Sequence, residues 1–513
     1  MTDVFSARCV GIDASLVTVE VDVTQGIGIH LVGLADVAVK ESLLRTVTAL
    51  QSLGYRVPGK KIVINLAPAD LHKKGSGYDL PIAIGIIVAS SQADLPRLKD
   101  YILLGELGLD GSVRAVPGAL PVAEMAIRCG YSGCIFPLES AREAVEFDGT
   151  EVYGVKTLDE VVRILSGEEF CEDLLVRNRQ DAVSSDDAAE PLRQAMDFSE
   201  IIGQEGAKRG LEIAAAGGHN IIMVGPPGSG KSSLANALAG ILPPMTPEES
   251  VQTSKIYSVA GKTVPGSGLM KQRPFRAPSP GASIPAIVGG GSDCVLPGEI
   301  SLAHNGVLFV DEFCEAPKRM IESLRGPMED RKVTISRLRT KVEYPSSFML
   351  VAATNPCPCG YWGEGDRCTC TPGRRLAYMS KMSGPLMDRI DLHLWLHIVD
   401  TSKMVGRPRS ESSEDIARRV KAARDVQRQR FLGESINVNA EMTNRLISRY
   451  CPLSPECRRT LQDLIDRSGF SMRAFFRIIK VARTIADLDG SSDILPDHLV
   501  EAAGYRFLDK IGM

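Results

Sequence analysis

The stretch His219–Ser233, HNIIMVGPPGSGKSS, decides how the chain is read. Ile221–Val224 is a short apolar run of the length expected for a buried strand. A Gly/Pro loop follows, then Lys231, Ser232 and apolar residues at helical spacing, Leu234, Ala235 and Leu238. From Gly225 to Ser232 the pattern is G-x-x-x-x-G-K-S, in the strand–loop–helix context that its chemistry requires. Gly225, Pro226, Pro227, Gly228, Ser229 and Gly230 make the loop. Its glycines let backbone N–H groups turn inward around phosphate oxygens, and the helix N-terminus at Lys231, Ser232 and Ser233 adds partial positive charge. Lys231 is expected to reach the β- and γ-phosphates of ATP, and the Ser232 hydroxyl to hold Mg²⁺.

Outward from this loop, the next chemistry is Gly306–Glu312, GVLFVDE. An apolar run ending in two acids describes a buried strand that delivers carboxylates at its C-terminal edge. Asp311 is expected to hold Mg²⁺ through water and Glu312 to polarise the attacking water. A third apolar strand, Phe348–Thr354 (FMLVAAT), ends at Asn355. Its amide can orient that water or the γ-phosphate; an Asn-Pro turn is the other reading. Cys357, Cys359, Cys368 and Cys370 then follow with C-x-C-x₈-C-x-C spacing. Two close pairs across a short loop can close a tetrahedral thiolate site, in which Zn²⁺ would be structural. Reduced thiols or a redox pair are the alternative.

Bulk properties bound the rest. A chain of 513 residues should hold more than one domain, at about 100–200 residues each. Hydrophobic content of 44% and charged content of 24% are those of a soluble globular protein. A net charge of −4 gives no general attraction to nucleic acid, so any such contact must come from local basic patches. The start, MTDVFSARCVGID, has neither the basic region nor the apolar core of a signal peptide. The longest apolar run, Leu80–Ala89, is too short to span a bilayer. Twelve cysteines without an export signal point to a cytoplasmic protein with reduced thiols, no membrane partner, and metal at clustered cysteines.

Along the chain, residues 1–166 alternate strand and helix patterns. Leu16–Val23, Lys61–Leu66 and Tyr101–Leu104 read as strands and Val37–Leu53 as a helix, an α+β or α/β unit. Residues 167–197 are acidic and polar, which suits a linker. Ile201–Gly217 reads as a helix ahead of the P-loop strand. Residues 198–400 hold the nucleotide motifs, and 401–513 are helical by pattern, with Ser471 placed to cap MRAFFRIIKVARTIADL.

The stretches GIDASLVTVEVDVTQGI, VGLADVAVKESLLR, INLAPADLHKKGSGYDLPIAIG, GELGLDGSVRAVPGALP, GEISLAHNGVLFVDE, ATNPCPCG, SGPLMDRIDL and VARTIADL together resemble the YifB/ComM family of Mg-chelatase-like ATPases. The resemblance implies an α/β multidomain fold: a Lon-protease-like (ribosomal S5 domain 2-like) N-terminal domain, an AAA+ core with a parallel sheet, and a helical lid. It implies that Gln204 lies near the adenine and that Arg389 reaches the γ-phosphate of a neighbouring subunit in a ring, expected to be a hexamer; a local Asp388–Arg389–Asp391 surface charge cluster is the other reading of Arg389. Arg473, in the first turn of its helix, is expected to approach nucleotide from the lid, with a solvated arginine as the alternative. A Lon protease needs a serine nucleophile and a downstream lysine. Tyr78–Asp79 occupy the serine's expected position, and no lysine falls between Lys99 and Lys156, so proteolysis is not expected. The family's usual His pair is replaced by Ser279–Pro280.

Two segments resemble insertions of the branch that holds MCM helicases and Mg-chelatase. Ser254–Glu299 is long, rich in Gly and Pro, and carries Lys255, Lys262, Lys271, Arg273 and Arg276. Arg331–Tyr344 reads as a β-hairpin with Arg337, Arg339 and Lys341 near its turn, a tip that can track DNA phosphates or simply protect an edge. Ser413–Phe431 is an amphipathic, arginine-rich helix, either solvated or set against DNA or an acidic neighbour. The expected function is a ring ATPase acting on single-stranded or branched DNA, in helicase action or branch migration during recombination or natural transformation. A protein-remodelling ATPase like the Mg-chelatase motor is the alternative.

Overall fold

The computed structural model describes residues 1–34, 36–71, 73, 75–144, 149–168, 171–176, 196–263, 268–291, 295–337, 340–382, 384–399 and 411–511. The first unit is a mixed sheet in the order Gly28–Val32, Lys61–Ala67, Asp13–Thr24, Thr2–Val10, Tyr101–Leu103, Gly133–Pro137, Glu151–Val155. Alternation in the long strands turns Val17, Val19 and Val21 inward, where they meet Ile62, Ile64 and Leu66 and the buried helix Asp79–Ala89. Gly85 allows that helix to lie on the sheet, because a Cβ there would come within 2.5 Å of Val21 Cγ2. The buried Asp79 carboxylate is held by Arg45 at 2.9 Å. Ser76 donates its hydroxyl proton to Glu106, and Lys73 donates to the Pro68 carbonyl. Ser76 therefore faces an acid, whereas a Lon-type nucleophile faces a lysine.

The expected linker is shorter than its composition suggests. Leu175 bridges Tyr153, and the Val176 N–H donates to the Val152 carbonyl at 2.9 Å, so residues 171–176 extend the first unit. Most of the acidic stretch, 177–195, lies outside the described residues. Its far end is anchored where Ser413 Oγ accepts the Phe198 N–H at 2.8 Å.

The nucleotide motifs sit on a five-stranded parallel sheet, in the order Phe275–Arg276, Val307–Val310, Met349–Thr354, Ile221–Val224, Leu392–Trp395. The P-loop strand is thus covered on both edges and on both faces, which explains its unbroken apolar run. The two outer strands carried no clear sequence signal, being short and partly polar. The helix ahead of the P-loop begins at Glu205, with Gln204 in a left-handed conformation at its N-cap. Helices Ser413–Arg430, Asn444–Tyr450, Pro455–Ser468, Met472–Leu488 and Pro496–Gly504 form the C-terminal bundle. Ile416, Val420, Ile478 and Ile485 join Leu211, Leu234 and Leu238 in one apolar core, so bundle and sheet are continuous. No helix among the described residues is long and apolar enough to cross a membrane.

The basic side chains of the insertions are largely spent inside the chain. Lys255, on the helix Pro247–Val259, pairs with Glu124 at 2.6 Å and Asp13 at 3.0 Å and so bolts the insertion to the N-terminal unit. Arg273 pairs with Glu249 at 2.7 Å and Arg276 with Glu299 at 2.6 Å. The hairpin Lys332–Arg337 with Thr340–Pro345 forms as expected, but Arg339 and the Arg337 side chain lie outside the described residues. On Ser413–Arg430, Arg419 pairs with Glu212 and Glu411, Arg430 with Asp487, and Arg424 donates to the Ala215 carbonyl. This helix fastens the bundle to the core; the acidic neighbour is in the same chain.

One buried carboxylate joins sheet and bundle. Asp391 accepts the Asn220 N–H at 3.1 Å, pairs with Arg477 of the bundle, and lies 3.5 Å from the His219 ring. Burial alone would push its carboxyl up, but Arg477 and His219 outweigh it and hold it well below the usual carboxylate range. Asp391→Ala should cost about 3 kcal/mol by leaving Arg477 unpaired, read as a drop in denaturant midpoint. A carboxyl depressed by folding stabilises fully above its unfolded value of about 3.9, and the contribution shrinks as pH falls below that. The gap between wild type and Asp391→Ala should therefore be constant near neutral pH and narrow below about pH 4.

Candidate nucleotide site and cysteine cluster

Gly225–Gly230 turns from the end of the P-loop strand into the helix Lys231–Ile241, with Gly228 and Gly230 at φ of 78° and 88°. A Cβ on Gly228 or Gly230 would meet nothing within 4 Å, so the loop's rim is open. Gly225, by contrast, packs against Leu396, and a Cβ there would lie 2.8 Å from the Leu396 Cβ. The buried Ser229 hydroxyl finds no partner among the described residues. An open rim over a helix N-terminus fits a polyphosphate.

The side chains expected around that phosphate converge. Lys231 Nζ donates to the Gly225 and Pro226 carbonyls at 2.7 and 2.9 Å and lies 3.2 Å from Asn355 Oδ1. Burial pushes its ammonium below the usual lysine range, and Asp311 offsets part of this. Ser232 Oγ donates to Asp311 Oδ2 at 3.0 Å, which sets both Mg²⁺-binding candidates side by side. Glu312 follows at φ 48°, a left-handed backbone that a non-glycine residue adopts at a cost, and its N–H donates to Asp311 Oδ1 at 2.8 Å. That turn aims the two carboxylates differently. Gln204 donates to the Ser229 carbonyl at 3.2 Å and to His397 at 2.6 Å, closing one side of the loop. Ser233 is part of the same helix start.

Arg389 and Arg473 lie elsewhere. The strand Leu392–Trp395 runs parallel to Ile221–Val224, with Ile221 opposite Leu392 and Val224 opposite Trp395. Arg389 precedes the first strand, whereas the P-loop follows the second, so the two are separated by the length of a four-residue strand, roughly 10 Å or more. The Asn220 amide fixes this by donating to the Arg389 carbonyl at 3.0 Å. Arg389 Nη2 pairs with Glu329, and Arg473 pairs with the neighbouring Asp388 at 2.5 Å. Arg473 is thus placed beside Arg389. Asn220 and Glu329 carried no sequence signal, because their roles depend on partners far away in the chain; Asp388 was legible only as a charged neighbour of Arg389.

The cysteine loop rests on the P-loop. The Cys357 and Cys359 sulfurs are 3.3 Å apart, and each lies 3.8 and 3.7 Å, respectively, from Cys368. All four sulfurs, Cys370 included, fall within 4.8 Å of one another, a group that could hold a metal ion. Four thiolates at Zn–S distances of about 2.3 Å would stand near 3.8 Å apart, so the set suits tetrahedral metal. The Tyr361 N–H draws the Cys359 thiol down to about 6, whereas at Cys368 and Cys370 a backbone hydrogen bond is outweighed by burial and the neighbouring sulfurs, which push the thiols up. Between the two pairs, Gly360 touches the nucleotide loop: a Cβ there would lie 2.7 Å from Pro227 Cδ, at a φ of 84°. Trp362 packs edge-on against Trp395 at the end of the outer strand.

Comparison with known proteins bears on this arrangement. Residues 197–404 match the family model "Magnesium chelatase, subunit ChlI", residues 19–140 the model "Subunit ChlI of Mg-chelatase", and residues 410–506 that subunit's C-terminal model. YifB of Salmonella typhimurium is 42% identical over 511 residues, covering 99% of this chain and 97% of the relative. Competence protein ComM of Haemophilus influenzae is 39% identical over 510 residues, covering 99% and 98%. An archaeal Lon protease of Methanocaldococcus jannaschii is 28% identical over 136 residues, 26% of this chain and 21% of that protein. The fold and site define a magnesium-chelatase-like P-loop protein of the AAA+ class. Within that class, the chain belongs to the YifB/ComM family.

Gly360→Ala should weaken ATP binding roughly tenfold, because the added methyl presses on Pro227 at a strained backbone position. Titration with a fluorescent ATP analogue reads the change, and the metal content of the cysteine loop should stay as in wild type.

Proposed function

We propose that this protein is an ATP-hydrolysing ring motor that acts on DNA, in helicase action or branch migration. The placement of Lys231 and Arg389 at opposite ends of the same strands carries the reading. A site that needs both groups has to be assembled from two subunits. Gly225–Gly230 would cradle the phosphates of ATP and Lys231 would bind its β- and γ-phosphates. Ser232 and Asp311 would hold Mg²⁺, which neutralises charge on those phosphates. Glu312 would accept a proton from, or polarise, the attacking water, and Asn355 would orient it. Arg389 and Arg473 of the next subunit would meet the charge that develops on the γ-phosphoryl group. Closed ring symmetry supplies every site with both walls, and a homohexamer is the ring that the family resemblance implies.

The cysteine set would hold a structural Zn²⁺ through Cys357, Cys359, Cys368 and Cys370. Zinc there would fix the loop that carries Gly360 against Pro227 and lies just beyond Asn355. Its contribution is to folding, since a closed four-thiolate site leaves no open position for substrate.

DNA as substrate draws on the relationship to ComM, which is named a competence protein, and on the basic hairpin. Recombination or natural transformation is the host process this implies, with action in the cytoplasm. One observation favours the protein-remodelling alternative: Lys255, Arg273 and Arg276 of the insertion are already neutralised by acids of the same chain.

ATPase assays with and without single-stranded and four-way-junction DNA separate the two. Wild type should be stimulated by DNA; Lys231→Ala and Glu312→Gln should lose about 100-fold or more in turnover, with ATP binding retained by Glu312→Gln. Absence of both DNA stimulation and strand exchange would sink the DNA reading. An equal mixture of Lys231→Ala and Arg389→Ala subunits should regain about a quarter of wild-type activity, because random assembly pairs one intact wall of each kind at that frequency. Purified protein should carry about one zinc per chain, lost in Cys357→Ser/Cys370→Ser with a lower melting temperature.

A further inference from the structure

Beside Arg389 and Arg473 the structure holds a third guanidinium to which neither sequence motif nor comparison gives a role. Arg325 opens the short helix Arg325–Asp330, one turn ahead of Glu329, so both side chains project from the same face. Glu329 is the acid on which Arg389 rests, and its side chain is 65% exposed. Asp388, next in sequence to Arg389, holds Arg473. Five charged groups thus share one surface patch: three guanidiniums and two carboxylates.

The pairing is incomplete. Arg389 has Glu329 and the Pro385 carbonyl at 2.5 Å; Arg473 has Asp388. Arg325 has no hydrogen bond or ion pair among the described residues, and its Nε is buried without an acceptor. Guanidinium donors buried without acceptors are uncommon, and those that occur tend to mark a site that receives a partner. An anion arriving from outside suits this free guanidinium, since the two carboxylates of the patch are already engaged. Arg331, on the same side of the sheet, does not fill this role: it is turned to Glu441 and the Ser347 hydroxyl.

We propose that Arg325 is a third arginine presented to the triphosphate of the adjoining subunit, and that Glu329 is the counter-charge that holds Arg389 until that triphosphate displaces it. This rests on the shared-site reading above. A planar guanidinium suits the task because its donors can take two phosphate oxygens at once. Three of them converging on one polyphosphate match its charge better than Arg389 alone. Glu329 is suited to be displaced, because its own side chain is exposed while that of Arg389 is largely covered, so a phosphate oxygen can take the carboxylate's place on the guanidinium. Its carboxyl lies below the usual glutamate range because Arg389 donates to it, with Arg473 and Arg325 adding to the effect, so it stays charged through the neutral range and keeps the patch organised.

Mixed rings test the assignment. Arg325→Ala alone should lower ATP turnover at least tenfold in rings that still assemble. Mixed with Lys231→Ala, it should recover activity, because a subunit with intact Lys231 then meets one with intact Arg325. Mixed with Arg389→Ala, it should recover none, since both lesions lie on the same wall. Arg325→Met, which keeps the stem without the charge, repeats the test if the alanine variant fails to assemble. Glu329→Gln should show a KM for ATP up to about fivefold lower. Wild-type turnover in Arg325→Ala and Arg325→Met would overturn the proposal. So would recovery with Arg389→Ala. So would failure to recover with Lys231→Ala while the Lys231→Ala/Arg389→Ala mixture recovers. If that last mixture also fails, the shared-site reading itself is wrong.

Discussion

Asn220 ties three chain segments together at the lower end of the nucleotide sheet. Its amide oxygen accepts the Leu350 N–H at 2.8 Å, its amide nitrogen donates to the Arg389 carbonyl, and its own N–H reaches Asp391. The Asp391 and Leu392 N–H groups donate back to its carbonyl at 2.9 and 3.0 Å. The P-loop strand and the outer strand therefore start level, with Ile221 opposite Leu392, and the Asn355 strand starts two residues earlier. All three run parallel and finish level, with Val224 opposite Thr354 and Trp395, which sets Lys231 near Asn355 and leaves Arg389 at the far end. Both the convergence of one set of groups and the separation of the other follow from this register.

Polar groups buried at such a junction need partners, and the chain supplies them from distant segments. Asp391 takes Arg477 from the bundle; Arg430 and Arg483 share Asp487. These links make the C-terminal bundle an extension of the sheet's own core. The bundle therefore cannot tilt freely without exposing buried charge. Arg473, one turn from Arg477, is held in place by the same helix and reaches Asp388 beside Arg389. Groups that could act on a neighbour are thus organised by the same contacts that stabilise the fold.

At the opposite end, the cysteine loop plays the corresponding part. It leaves the Asn355 strand, touches Pro227 through Gly360, and returns past Trp395. A strand end, the nucleotide loop and a cluster of four cysteines share one small volume. The sequence places the four cysteines near Asn355 but says nothing of their contact with Pro227, which depends on how the loop folds back.

Local pattern was enough for the elements that carry their own chemistry. The strand–loop–helix at His219–Ser233, the acid pair at the end of Val307–Val310, the capped helix after Ser471 and the hairpin at Lys332–Pro345 are all legible because hydrophobic period, glycine placement and capping residues act over a few positions. The outer strands Phe275–Arg276 and Leu392–Trp395 are too short for any period to show. Charge was the least legible property. Lys255, Arg273, Arg276 and Arg419 look alike in sequence to free phosphate-binding residues, yet each is neutralised by an acid that folding brings from elsewhere. Sequence alone determined that the chain has a P-loop with its acids and a clustered thiolate set, since those depend on residue type and spacing. Tertiary structure decided which charges are free and on which end of the sheet Arg325, Arg389 and Arg473 lie, because ion pairing and strand register are set by groups far apart along the chain.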